Sequence, residues 1–113
     1  MAKYGNCRIT VGGETFDSRR EYARFCELKL LQRCGKIREL TRQEKFVLIP
    51  AQHIDGRLVE RECSYRADFT YQEEIAPGHW QRVVEDAKGC RTEVYKIKKK
   101  LMLQVHGIRV REV

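Results

Sequence analysis

A chain of 113 residues can bury a core of its own, and 42% hydrophobic beside 35% charged residues excludes a disordered tail, so one domain spanning 1–113 is expected. No apolar run approaches the roughly 18 residues of a membrane span and the N-terminus lacks the apolar core of a secretion signal, which points to an intracellular protein with no membrane partner. The net charge of +7 favours a polyanionic partner, because clustered Lys and Arg release counterions from phosphates.

Cysteines stand at 7, 26, 34, 63 and 90, an odd number with no C-x-x-C and no histidine pair at ligand spacing, which argues against a zinc site. Cys7 to Val11 alternates apolar and polar residues, and Gly12-Gly13 then frees the backbone for a reversal toward Phe16, so the chain opens on a β-hairpin. From Asp17 or Ser18 the period becomes helical, with Tyr22, Phe25, Cys26, Leu28 and Leu31 on one face up to a stop at Gly35. Phe46–Ile49 reads as a buried strand, and Asp55-Gly56 as a hairpin turn before Arg57-Leu58-Val59. Tyr65, Ala67, Phe69 and Tyr71 alternate with Arg66, Asp68, Thr70 and Gln72 in strand periodicity.

After a loop at Ala76-Pro77-Gly78, Val83-Val84 begins a strand that Gly89 ends. Thr92 is the expected N-cap of a second helix, with Val94, Ile97, Leu101 and Val105 on one face, Lys96, Lys99 and Lys100 on another, and Gly107 at its end. Ile108 and Val110 then alternate with Arg109 and Arg111 as a last strand. The order implies an α/β fold with a mixed sheet and at least two packed helices.

In Val83-Val84-Glu85-Asp86-Ala87-Lys88-Gly89 a strand becomes charged just before a glycine, and residues two apart share a face, so Asp86 and Lys88 project together. Asp68 on the preceding strand faces opposite to the aromatic row, so two carboxylates and an amine can meet on adjacent strands. Phosphodiester hydrolysis needs such a set: carboxylates bind a hard divalent cation and an amine stabilises developing charge. A purely structural reading makes Asp68 the salt-bridge partner of Arg66 or Lys88, and Asp86 with Lys88 a surface pair.

Ala67-Asp68 followed after a hairpin by Asp86-Ala87-Lys88 resembles the P-D…(D/E)-x-K signature of the restriction-endonuclease-like nucleases, which include transposon-end nucleases and phage Holliday-junction resolvases. Lys3-Tyr4-Gly5-Asn6, Phe16-Asp17-Ser18, Glu21, Gln43, Asp68-Phe69 and Val84 to Gly89 extend the likeness to small phage proteins of that superfamily. Ala67 stands where the signature has proline, and Asp86 where Glu is commoner. The resemblance implies a mixed central sheet flanked by helices, and Mg²⁺ or Mn²⁺ held by Asp68, Asp86 and an acid of the first helix. Glu21 is the better placed of Glu21 and Glu27 for that role, sharing the stripe of Phe25 and Leu28. Ser18-Arg19-Arg20-Glu21 equally fits a capping box, in which Glu21 returns to the Ser18 amide.

The further expectations are catalytic roles for Glu21, Asp68, Asp86 and Lys88, an auxiliary role or a strand cap for Gln43, and phosphate contacts or a solvated face for Lys96, Lys99 and Lys100. His53, His79 and His106 read as surface or structural residues, and Trp80 and Tyr71 as packing. The implied activity is cleavage of DNA, with branched or junction substrates in phage recombination or replication, a homodimer to cut both strands, and the cytoplasm of an infected or lysogenic bacterial host as location. The alternatives are a nuclease-like fold retained as a basic nucleic-acid-binding or assembly protein without turnover, and a structural phage accessory protein.

Overall fold

The computed structural model describes residues 8–87 and 91–113, and the chain divides into two compact units, 1–40 with 71–82 and 41–70 with 83–113. The fold is mixed α/β. A four-stranded sheet in the order β3-β6-β7-β8 accompanies two separate two-stranded ribbons, β1-β2 and β4-β5.

In the first unit, β1 (Ile9–Val11) and β2 (Glu14–Phe16) pair antiparallel about Gly12-Gly13. Both glycines have positive φ, 58° and 83°, which residues with a Cβ rarely adopt. Helix α1 (Arg19–Arg33) starts at Ser18, whose Oγ accepts the Glu21 amide at 3.1 Å, and ends at Cys34 before Gly35 with φ 78°. Phe16 and Leu28 are buried, and the Phe16 ring lies 5.2 Å from Tyr22 and 5.1 Å from Phe25. Leu31 and Cys26, expected on the inner face, are exposed. The Gln32 side chain takes the Leu40 amide at 2.9 Å, which fastens the helix to the strand that follows.

Strand β3 (Ile37–Ile49) is far longer than the Phe46–Ile49 segment that the apolar pattern marks. Glu39 and Gln43 have φ of 58° and 57°, and each left-handed residue disrupts the alternation of the strand. The extra length is therefore illegible in the sequence. Beyond Gln43 the alternation returns, with Phe46 and Leu48 buried and Val47 and Ile49 exposed. The Arg38 guanidinium lies 4.1 Å from the centre of the Trp80 ring and its Nε donates to Gln72 Oε1 at 2.7 Å, which gives Trp80 a packing role.

In the second unit, β4 (Gln52–Ile54) and β5 (Arg57–Glu60) form the expected hairpin, Asp55 and Gly56 turning it with φ of 51° and 77°. Every residue of this ribbon is exposed. Strand β6 (Cys63–Ala76) turns at Pro77-Gly78 into β7 (His79–Asp86), which begins earlier than the Val83 that the apolar pattern marks. Helix α2 (Glu93–His106) has Thr92 as N-cap and Gly107, φ 68°, as its left-handed C-cap. It buries Tyr95 and Met102 against Phe46, Leu48, Tyr65, Ala67, Val84 and Val110. The last strand, β8 (Arg111–Glu112), is shorter and later than the alternation of Ile108–Arg111 suggests, and pairs parallel with β7. Ile108 and Val110 go to the core instead of the ladder.

No helix among the described residues is long and apolar enough to cross a membrane.

Candidate active site

Asp68 lies on β6 and Asp86 at the end of β7, and both are buried, at 9% and 0% exposure. The Ala87 amide, next after Asp86, donates to Asp68 Oδ2 at 2.9 Å, and Gln43 Nε2 reaches Asp68 Oδ1 at 3.4 Å. Gln43 is thus beside Asp68, and the left-handed backbone that hides β3 from the sequence is the one that carries it. Its own carbonyl accepts the Arg66 guanidinium at 3.1 Å.

Asp86 accepts the Tyr65 hydroxyl, and its carbonyl accepts the Val113 amide at 3.0 Å. Tyr65 therefore does more than pack. Burial, then the charge of Asp86 and more weakly that of Asp68, push its hydroxyl far above the ordinary tyrosine value, so it stays a proton donor even in alkaline solution. Both carboxylates are felt at one hydroxyl. Glu85, on the opposite side of β7 by alternation, is also fully buried.

Lys88 lies outside the described residues. Glu21 is buried in the first turn of α1, and its Oε1 accepts the Asp17 amide at 3.2 Å. The reciprocal cap is present, although it closes on Asp17 and not on the Ser18 amide. Among the described residues no group of three or more His, Cys, Asp or Glu is placed to hold a metal ion. Asp68 and Asp86 are a pair of acids within the second unit, and Glu21 belongs to the first.

Lys96, Lys99 and Lys100 of α2 line a groove of about 400 Å³ with β8 and the segments around it. Lys96 pairs with Glu93 at 3.4 Å, and Lys99 with Glu112 at 3.2 Å, while Lys100 and Arg109 also line the groove. Glu112 is the residue that sequence reasoning missed. It accepts Arg91 at 3.2 Å and the Tyr95 hydroxyl at 2.8 Å besides Lys99, and it stands opposite Asp86 in the β7·β8 register. The Tyr95 hydrogen bond, followed by the Lys99 and Arg91 charges, holds its carboxyl below the usual glutamate value against an opposing effect of burial. Tyr95 is raised in turn, by burial and by that hydrogen bond. Only the alternation of Arg109 and Arg111 hinted at this edge in the sequence, since the partnership of β8 with β7 joins residues 26 positions apart.

His106 Nε2 donates to the Val47 carbonyl at 2.7 Å, with its ring against Phe46, a structural position as expected.

This α/β protein thus carries two buried acids on adjacent strands and a groove lined by more cations than acids. The chain belongs to the family described as Protein of unknown function (DUF1064), whose profile matches residues 1–111. No curated protein and no solved structure matches it.

Proposed function

We propose that this protein is a metal-dependent DNA endonuclease of the restriction-endonuclease-like class. The observation that carries the reading is the bond from the Ala87 amide to Asp68, because it brings the acid of β6 beside the residue that follows Asp86. This strand-turn-strand pairing of two buried acids is the setting in which the likeness of Ala67-Asp68…Asp86-Ala87-Lys88 to the nuclease signature has chemical meaning.

Two carboxylates are hard oxygen donors, which suit Mg²⁺ or Mn²⁺; such ions are commonly held by one or two carboxylates with water completing the shell. Asp68 and Asp86 would hold the ion. When bound, it supplies Lewis acidity at the phosphate and lowers the pKa of a bound water. The protein's own part is positioning: the Ala87 amide and Gln43 orient Asp68, and the Tyr65 hydroxyl orients Asp86. Lys88, two residues beyond Asp86, is assigned the stabilisation of developing negative charge. The substrate class is branched or junction DNA of phage recombination or replication, and a two-fold homodimer would place one site on each strand. Such a role belongs in the cytoplasm of an infected or lysogenic bacterium.

A second reading, a nuclease-like fold that binds nucleic acid without turnover, is favoured by one observation, the complete burial of Asp86 beneath the Tyr65 hydroxyl. Cleavage of linear, single-stranded, flap and four-way-junction DNA, measured with Mg²⁺ or Mn²⁺ and with a chelator, separates the two. The nuclease reading expects metal-dependent cutting that Asp86→Asn abolishes. Intact DNA throughout, with binding retained, replaces it by the second.

A further inference from the structure

Resting on the reading of a nucleic-acid-directed protein, we infer that the groove between α2 and the β8 edge takes a single strand of nucleic acid, and that Glu112 restrains it by occupying two of its cations. Apolar and cationic side chains interleave there: Ile97 and Leu103, exposed by 56% and 55%, stand among Lys96, Lys99 and Lys100. A solvated lysine face needs no such apolar companions. Arg91 and Arg109 add charge from outside the helix, and against Glu93 and Glu112 the lining remains cationic.

This mixture selects among polyanions. A duplex offers mainly phosphates on its outer surface and keeps the faces of its bases stacked inside, so it has less apolar surface to set against Ile97 and Leu103. A single strand can turn sugars and base edges to the apolar side chains while its phosphates meet the cations. The residues lining the groove include no aromatic ring, so binding without base stacking, tolerant of sequence and steep in salt, is the expected mode.

Glu112 sets the resting state. It is 25% exposed and holds both Arg91 and Lys99, two of the cations that line the groove, while the Tyr95 hydroxyl donates to it. An incoming phosphate must replace this carboxylate at both partners. Removing the charge of Glu112 should therefore tighten binding, although the substitution adds no new interaction with the strand. Glutamine keeps an acceptor for Tyr95, so the conservative variant tests the charge alone.

The test is fluorescence anisotropy of a labelled 20-nucleotide single strand and its blunt duplex, in EDTA and over a salt series, with folding checked by circular dichroism. The wild type should prefer the single strand. Glu112→Gln should tighten it on the order of threefold to tenfold, the gain from releasing two exposed ion pairs. Lys100→Gln with Arg109→Gln should lower the salt slope by about 1.4, roughly 0.7 for each phosphate of the single strand that is no longer neutralised. Ile97→Ser with Leu103→Ser should narrow the preference for single strand over duplex. Equal binding of duplex, an unchanged slope in the double cation variant, weaker binding by Glu112→Gln, or stronger competition by polyglutamate than by unlabelled strand at equal charge would each overturn the inference. Because EDTA keeps metal out of this assay, a protein that behaves as expected here yet cuts nothing with Mn²⁺ retains the groove and loses only the catalytic reading.

Discussion

Replacing Asp86 by Asn should make the metal-free protein more stable. The side chain is fully buried, its neighbour Asp68 is nearly so, and an ion taken out of water costs several kcal/mol before its partners offset that loss. The Tyr65 hydroxyl returns roughly 1.5–3 kcal/mol as a hydrogen bond to a charged acceptor, and a neutral amide acceptor in its place keeps about 1 kcal/mol of this. Removing the charge also ends the repulsion between two adjacent carboxylates. The net gain should be about 0.5–2 kcal/mol, the size of a typical single stabilising substitution. With an unfolding entropy of about 2.1 cal/mol/K per residue, a chain of this length should melt roughly 2–8 °C higher. Tyr65→Phe should move the other way, since it leaves the buried carboxylate without that donor. Differential scanning fluorimetry with EDTA, then with Mn²⁺, is the assay: wild type should gain stability with the ion and Asp86→Asn much less. A variant that melts lower than wild type in EDTA, together with a wild type indifferent to Mn²⁺, would refute the reasoning and make Asp86 a structural acceptor for Tyr65.

Lys88→Ala should reduce cleavage by a factor on the order of 10² or more while leaving circular dichroism and DNA affinity nearly unchanged, and full activity would remove Lys88 from the chemistry. Glu21→Gln keeps an acceptor for the Asp17 amide, so it should leave stability within about 1 kcal/mol of wild type; loss of cleavage at retained stability makes Glu21 a site residue, and retained cleavage makes it a cap alone. Glu27→Gln should be silent in the same assay. Glu112 is depressed below the ordinary value of 4.5, so its contribution is fully present above that pH and is lost as pH falls through the lower folded value. Melting curves between about pH 5 and pH 3 should therefore show wild type declining more steeply than Glu112→Gln, and parallel declines would contradict the depressed value.

What the sequence revealed was whatever local chemistry writes plainly. Gly12-Gly13 and Asp55-Gly56 announce turns because left-handed backbone favours those residue types, and Ser18, Thr92 and Gly107 mark helix ends because orphan amides and carbonyls need such caps. The neighbouring strands of Asp68 and Asp86 were legible for the same reason, through a Pro77-Gly78 turn between two alternating runs. The first half of β3 was not, since Glu39 and Gln43 adopt left-handed backbone without being glycine and so erase the period on which strand recognition depends. Nor was the role of Glu112, whose partners come from α2, from the segment before it and from β7. Alternation places Tyr65 in the aromatic row of its strand, but it says nothing of where a hydroxyl at the end of a buried ring will find its acceptor.

The β4-β5 ribbon has a consequence for how this chain can change over time. Since all of its residues are exposed and, among the described residues, its strands pair only with each other, its order rests on the Asp55-Gly56 turn and a short ladder, a marginal arrangement in water. Substitutions at Ile54, Leu58 or Val59 remove little buried surface and leave the α2-covered core untouched. The ribbon can therefore be lengthened, altered or deleted with slight penalty to folding, and without disturbing Asp68, Asp86 and the groups that hold them.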